Sequence, residues 1–207
     1  MTPFDKYYFF KLSIIDDNIE SVFKNFHHYF SNNDDDFKSF LSNSIDFGSI
    51  CHKPNLDYNG EFKFMLFEPL TNPNTTIFFS NLLDGWYTAV YNYARLFKTN
   101  IFHIGLTVDR GLKNNPAYFF TKLYYNDKSK FEQRVVQLVK DNNWTFYENS
   151  EKVKPLSIEN IEYYKSKRKV DKLNNEIIIQ YLRKAGYDLT DKNFFETNKN
   201  VYYCKYQ

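Results

Sequence analysis

Residues 75–108 read TTIFFSNLLDGWYTAVYNYARLFKTNIFHIGLTV. The stretch opens on a short run of β-branched and aromatic residues, Thr75 to Ser80, of the kind that fits a pleated, half-buried surface. Asp84 and Gly85 then interrupt it. Beyond them Trp86, Val90, Tyr93 and Phe97 recur at helical spacing, with Asp84 placed to cap a helix running to about Lys98. Ile101 to Val108 is apolar again and reads as a buried strand. Strand, helix and strand at this spacing predict one βαβ unit, with at least two parallel strands joined by a right-handed crossover.

Working outward, Tyr7 to Ile15 predicts a first strand, and Asp17-Asn-Ile-Glu20 a helix start that places Ile19, Val22, Phe23, Phe26 and Phe30 on one face. Residues 43–60 read as a loop. Glu61 to Phe67 is a strand, separated from the quoted stretch by the turn Pro69-Leu-Thr-Asn-Pro73. Downstream, Ala117 to Tyr125, Glu132 to Lys140 and Trp144 to Glu148 form a strand meander, turning at Asp141-Asn-Asn143. Two helices are then expected, one from Ser157 to about Lys169 and one from Asn174 to Ala185, the second closed by Gly186. Val201 to Tyr206 reads as an edge or added strand. The reading is a single α+β domain over residues 1–207. Its sheet is mixed but largely antiparallel, with one βαβ unit and helices packed against it, and 155–190 is a candidate helical subdomain.

Composition narrows the function classes. The 207 residues are 43% apolar and 25% charged, with six glycines and six prolines, which excludes disordered and collagen-like chains. Two cysteines, Cys51 and Cys204, are too few for a disulfide framework. No apolar run reaches the roughly 18–20 residues of a membrane span. The N-terminal apolar run is broken by Asp5, Lys6 and Lys11, so it reads as a strand rather than an export signal, which predicts a cytoplasmic chain. The formal charge is +2, with 12 acids and 8 bases in residues 1–100 against 13 and 19 in 101–207. That balance argues against nucleic acid as the partner. Aromatic residues make up 20%, which fits a bulky core and also supplies good interface anchors.

No motif announces a reaction. His27 and His28 are adjacent on a helix and point in different directions, and Cys51-His52 lacks a second ligand pair, so no metal and no cofactor is expected. The turn Asn81 to Gly85 has one glycine and an acid, which suits capping better than phosphate binding. An acid–base site built from Asp84, His103, Arg134 and Glu148 can be drawn where the strands 75–80 and 101–108 end. It would serve a small-molecule or nucleotide-binding α/β enzyme. A histidine inside Ile101-Phe-His-Ile104 is otherwise a core residue. Asp34, Asp35 and Asp36 form an acidic cluster suited to a basic partner. Lys165-Ser-Lys-Arg-Lys169 with Lys172 is the opposite patch, set late in the first of the two expected helices, where it matches the dipole.

Four segments carry a family resemblance: residues 80–87 (SNLLDGWY), 134–148 (RVVQLVKDNNWTFYE), 163–173 (YYKSKRKVDKL) and 177–182 (IIIQYL). Together they resemble bacterial immunity proteins encoded beside polymorphic or contact-dependent toxins. That resemblance implies a cytoplasmic protein of bacterial competition that neutralises a cognate toxin domain by one-to-one contact. It brings no catalytic residues with it. Where the toxin is a nuclease with a basic cleft, Asp34, Asp35 and Asp36 are the expected contacts.

Overall fold

The computed structural model describes residues 9–30, 37–50, 61–107 and 117–206. Their strands and α-helices are β1 (Phe9–Ile15), α1 (Ile19–Phe30), β2 (Phe37–Ser42), α2 (Phe47–Ile50), β3 (Phe62–Phe67), β4 (Thr76–Ser80), α3 (Tyr87–Phe97), β5 (Ile101–Thr107), β6 (Ala117–Tyr125), β7 (Phe131–Lys140), β8 (Trp144–Glu148), α4 (Asn175–Lys184) and β9 (Val201–Tyr206). The nine strands make one sheet in the order β2-β9-β3-β4-β1-β5-β6-β7-β8.

Every neighbouring pair in that sheet is antiparallel. The parallel neighbours expected from residues 75–108 are therefore absent. β4 and β5 are each antiparallel to β1, which lies between them, so they point the same way without touching. The fold is α+β and dominated by its sheet.

Period-two alternation sorts the side chains onto two buried faces. Phe10, Leu12 and Ile14 of β1 join Phe102, Ile104 and Leu106 of β5 on one face, where Ile177, Ile178, Tyr181 and Leu182 of α4 cover them. Segment 155–190 thus packs into the core of the sheet. On the other face, α1 contributes Ile19, Val22 and Phe26, and α3 contributes Val90, Tyr93 and Ala94. Phe26 stacks on Phe78 and Tyr93 at 5.2 and 4.8 Å between ring centroids. Asp17 ties the two helices together: its carboxylate accepts from the Ser21 and Tyr93 hydroxyls, while the Asn18 side chain caps the Ser21 amide.

Three expectations change. Ser157 to Lys169 does not form a helix; it holds 3-10 turns at Tyr163–Lys165 and Lys169–Asp171. The reason is Glu159, which is drawn inward by Arg134 and leaves Ile161 47% exposed on the outside. Val201 to Tyr206 is an interior strand, flanked by β2 and β3. The edge is β2, a strand the pattern of residues 37–42 does not suggest, because Lys38, Ser39, Phe40 and Leu41 are all exposed.

Candidate functional site

α1 and α3 cover only part of their face of the sheet. Beyond the N-terminal end of α3, strands β5, β6 and β7 lie open and form a concavity of about 420 Å³. Strand register lays out its floor in cross-strand rows. Lys11 faces Gly105, Gly105 faces Phe119, and Phe119 faces Gln137; in the next row Ser13, His103, Thr121 and Val135 are opposed in turn.

His103 is buried at the centre of the floor, and both ring nitrogens are engaged. Nε2 lies 2.9 Å from the Asp84 carbonyl, which can only accept, so Nε2 carries the proton. Nδ1, 2.8 Å from Ser13 Oγ, is therefore the acceptor of the serine hydroxyl. Burial lowers the His103 pKa to about 3, with the Asp84 carbonyl opposing and Lys11 assisting. A neutral imidazole with both nitrogens occupied holds the loop before α3 to β5. It has no free nitrogen for acid–base work.

The loop is shaped for this contact. Gly85 has φ +67°, and a Cβ there would lie 2.8 Å from His103 Cε1. Trp86 is also left-handed, at φ 58°. Asp84 Oδ1 accepts from the Trp86 amide, and Asn81 pairs through its side chain with the backbone of Glu61 and Lys63. In this way segment 80–87 fastens β3, β5 and α3 together. Gly85→Ala is expected to cost about 1–2 kcal/mol, from the left-handed backbone and the contact with the ring. A chemical denaturation curve within 0.5 kcal/mol (about the spread of neutral surface changes) of wild type would refute this.

Around His103 the lining mixes apolar and polar groups. Phe119 stacks on the imidazole at 5.0 Å and 22°, and lies so close over Gly105 that a Cβ there would come within 2.1 Å of its ring. Lys11 Nζ sits 5.3 Å from the Phe119 centroid, and burial lowers its pKa to about 8 although Asp84 pulls the other way. The Tyr87 hydroxyl is buried with no hydrogen-bond partner among the described residues.

The four residues drawn together from the sequence divide into two groups on opposite faces. Asp84 and His103 meet at the concavity. Arg134 pairs across the strands with Lys122, which faces Phe102, so it belongs to the face covered by α4. There its Nη1 donates to Glu148 at 2.6 Å, and Nε and Nη2 donate to Glu159 at 2.9 and 2.7 Å. Arg134 and the Glu159 side chain are both fully buried. Burial works against the Arg134 charge, but Glu159 and Glu148 hold its pKa above the usual arginine value. Tyr164 adds a hydrogen bond to Glu159 at 2.7 Å, so the cluster clamps segment 149–164 to the sheet. It is a structural ion cluster, with Glu159 as the member that sequence spacing did not reveal.

Asp34, Asp35 and Asp36 lie outside the described residues, as does Cys51-His52. The basic run is not helical. Lys165 and Arg168 pair with Glu162 and Asp171, and Lys172 turns inward to the Tyr164 carbonyl and the Phe146 ring. Among the described residues no three His, Cys, Asp or Glu side chains converge as a metal would need, and no helix is long and apolar enough to cross a membrane.

A second feature lies on the outer surface, where α1 and α3 meet the β6–β7 hairpin. A groove of about 540 Å³ runs between Tyr29, Asn92, Arg95, Leu96, Tyr125 and Phe131. Its rings are held in place: Asn92 donates to the Tyr29 hydroxyl at 3.0 Å, the Tyr125 hydroxyl donates to the Arg95 carbonyl at 3.0 Å, and Tyr91 meets Phe131 edge-on at 5.4 Å. Leu96 stands 60% exposed beside them.

No protein-family model matches the chain, and neither a curated protein nor a solved structure matches it significantly.

Proposed function

We propose that the chain is a cytoplasmic protein-binding domain of the immunity kind, which neutralises a cognate bacterial toxin domain by one-to-one contact. The observation that carries this reading is the aromatic groove around Leu96. Tyrosine and arginine dominate binding energy at interfaces, and rings already fixed by hydrogen bonds lose little freedom on docking. The resemblance of segments 80–87, 134–148, 163–173 and 177–182 points to the same role. We read Thr76 to Thr107 as a βαβ unit split by β1, whose crossover helix α3 carries Asn92, Arg95 and Leu96 to the surface. The acidic run Asp34–Asp36 supplies a charged contact if the partner is a nuclease.

The test is co-expression with the toxic domain encoded next to this protein, scoring growth and recovery of a stoichiometric complex on a tagged copy. Leu96→Asp is expected to weaken the complex by about thirtyfold or more, the size of a hot-spot loss, with the melting temperature unchanged. Rescue that survives Leu96→Asp at full affinity would move the interface elsewhere. A neighbour that is harmless, or that kills regardless, ends the immunity reading.

A further inference from the structure

The concavity around His103 holds more polar groups than the fold uses. Ser13 and the Asp84 carbonyl satisfy the histidine, but Lys11, Thr121, Gln133 and Gln137 line the same space without a side-chain hydrogen bond or ion pair among the described residues. Tyr87 also lines it, and its hydroxyl is buried with no hydrogen-bond partner among the described residues. A buried hydroxyl without a partner is unfavourable, and none of the described residues offers it one. Asp84 is the one acid in the lining among the described residues; it is exposed, and Oδ1 is already taken by the Trp86 amide. Beneath these groups Phe119 and Val135 make an apolar floor, and Leu83 stands 62% exposed at the rim.

We propose that this concavity is a binding site for a small organic anion, with its carboxylate or phosphate group against Lys11 Nζ and the Tyr87 hydroxyl and its apolar body on Phe119 and Val135. The volume of about 420 Å³ falls within the ~300–1,000 Å³ of small-molecule sites, and an apolar floor with a few converging polar groups is their usual lining. Lys11 supplies charge in a partly desolvated place, where a charge-assisted hydrogen bond is about twice as strong as a neutral one. An anion beside it restores the solvation that burial has removed. Tyr87 supplies a neutral donor, and the side-chain amides of Gln133 and Gln137 can meet either donors or acceptors on the ligand body. His103 takes no part in binding; it fixes the position of the loop that carries Asp84 and Tyr87.

Calorimetry and thermal shift with benzoate, AMP and inorganic phosphate, each against its neutral counterpart where one exists (benzyl alcohol, adenosine), test the assignment on the isolated protein. At least one of benzoate and AMP should bind saturably and raise the melting temperature, with its neutral counterpart about tenfold weaker or worse. Preference between the two separates a carboxylate ligand from a phosphate ligand, and phosphate alone should bind far more weakly than AMP if the apolar floor contributes. Lys11→Met should weaken the binding by about tenfold or more and Tyr87→Phe by about fivefold, whereas Lys98→Met should leave it unchanged. Amide NMR shifts on the wild-type chain should centre on Lys11, Thr121 and Val135, which keeps the test independent of how well the variants fold. No saturable binding by either anion up to about 10 mM (a free energy under 3 kcal/mol), equal affinity in Lys11→Met, or shifts centred elsewhere would each overturn the proposal. None of these outcomes involves a toxin, so the protein-binding reading stands or falls separately.

Discussion

Arg134→Ala is expected to destabilise the protein by about 3–5 kcal/mol, the loss found when one partner of a buried ion pair is removed. The Arg134 guanidinium lies between Glu148 and Glu159 with no exposed surface, and Glu159 is equally buried. Without the arginine, Glu159 keeps, among the described residues, the Leu156 amide and the Tyr164 hydroxyl as donors, and its buried side chain loses the cation that faces it. The loss should appear as a lower denaturation midpoint at pH 7, with a melting temperature lower by about 10 °C. Arg134→Met combined with Glu159→Leu should recover more than half of the loss, since the pair is replaced by apolar groups and no charge is stranded. A single-variant loss under about 1 kcal/mol, the range of an exposed ion pair, would show that water reaches the cluster.

The second large effect is acid sensitivity set by His103. The folded protein lowers its pKa from 6.5 to about 3, so between those values the unfolded chain binds a proton that the native state refuses. Stability therefore rises with pH across that window and is lost as the pH falls from 6.5 toward 3, by at most about 1.4 kcal/mol per pH unit from this one group. Carboxylates titrate in the same range, so the decisive measurement is a difference. Denaturation free energy plotted against pH should be less steep for His103→Gln than for wild type between pH 4 and 6 (a window inside the two pKa values). Parallel curves would mean that the imidazole becomes protonated without leaving its place between Ser13 and Asp84.

Much of the fold is legible along the chain. The strands Ala117 to Tyr125 and Trp144 to Glu148 match their expected limits, and Asn174 caps α4 through the Ile177 amide, with Gly186 left-handed beyond the helix end. These elements announce themselves through local rules: alternation, capping and a glycine stop. Ser157 to Lys169 has a helical pattern too, but a buried arginine on a distant strand pulls Glu159 inward and the pattern loses. Exposure of β2 on its outer side removes the alternation by which a strand is recognised, and only its pairing with β9 shows it to be one.

The candidate site divides along the same line. Asp84 and His103 stand out as a capping acid and a lone polar residue in an apolar run; His103 is buried and hydrogen-bonded, but α3 follows a left-handed Trp86 with no side-chain cap, and Asp84 Oδ1 reaches only the Trp86 amide while its carbonyl holds the histidine. Lys11 and Tyr87 carried no signal, because a single lysine in a strand and a single tyrosine in a helix become notable only when other elements leave them unpartnered. The separation of Arg134 and Glu148 from His103 has a purely geometric cause: β-strand side chains alternate, so a register that sets His103 opposite Thr121 and Val135 sends Arg134 to the far face. By itself the amino-acid sequence determined most of the segments that extend or coil, and where many of them stop, since those preferences act between near neighbours. Strand order, the antiparallel neighbours of β4 and β5, and the open face around His103 were decided only by the tertiary structure, because register and order arise from long-range pairing that no local pattern encodes.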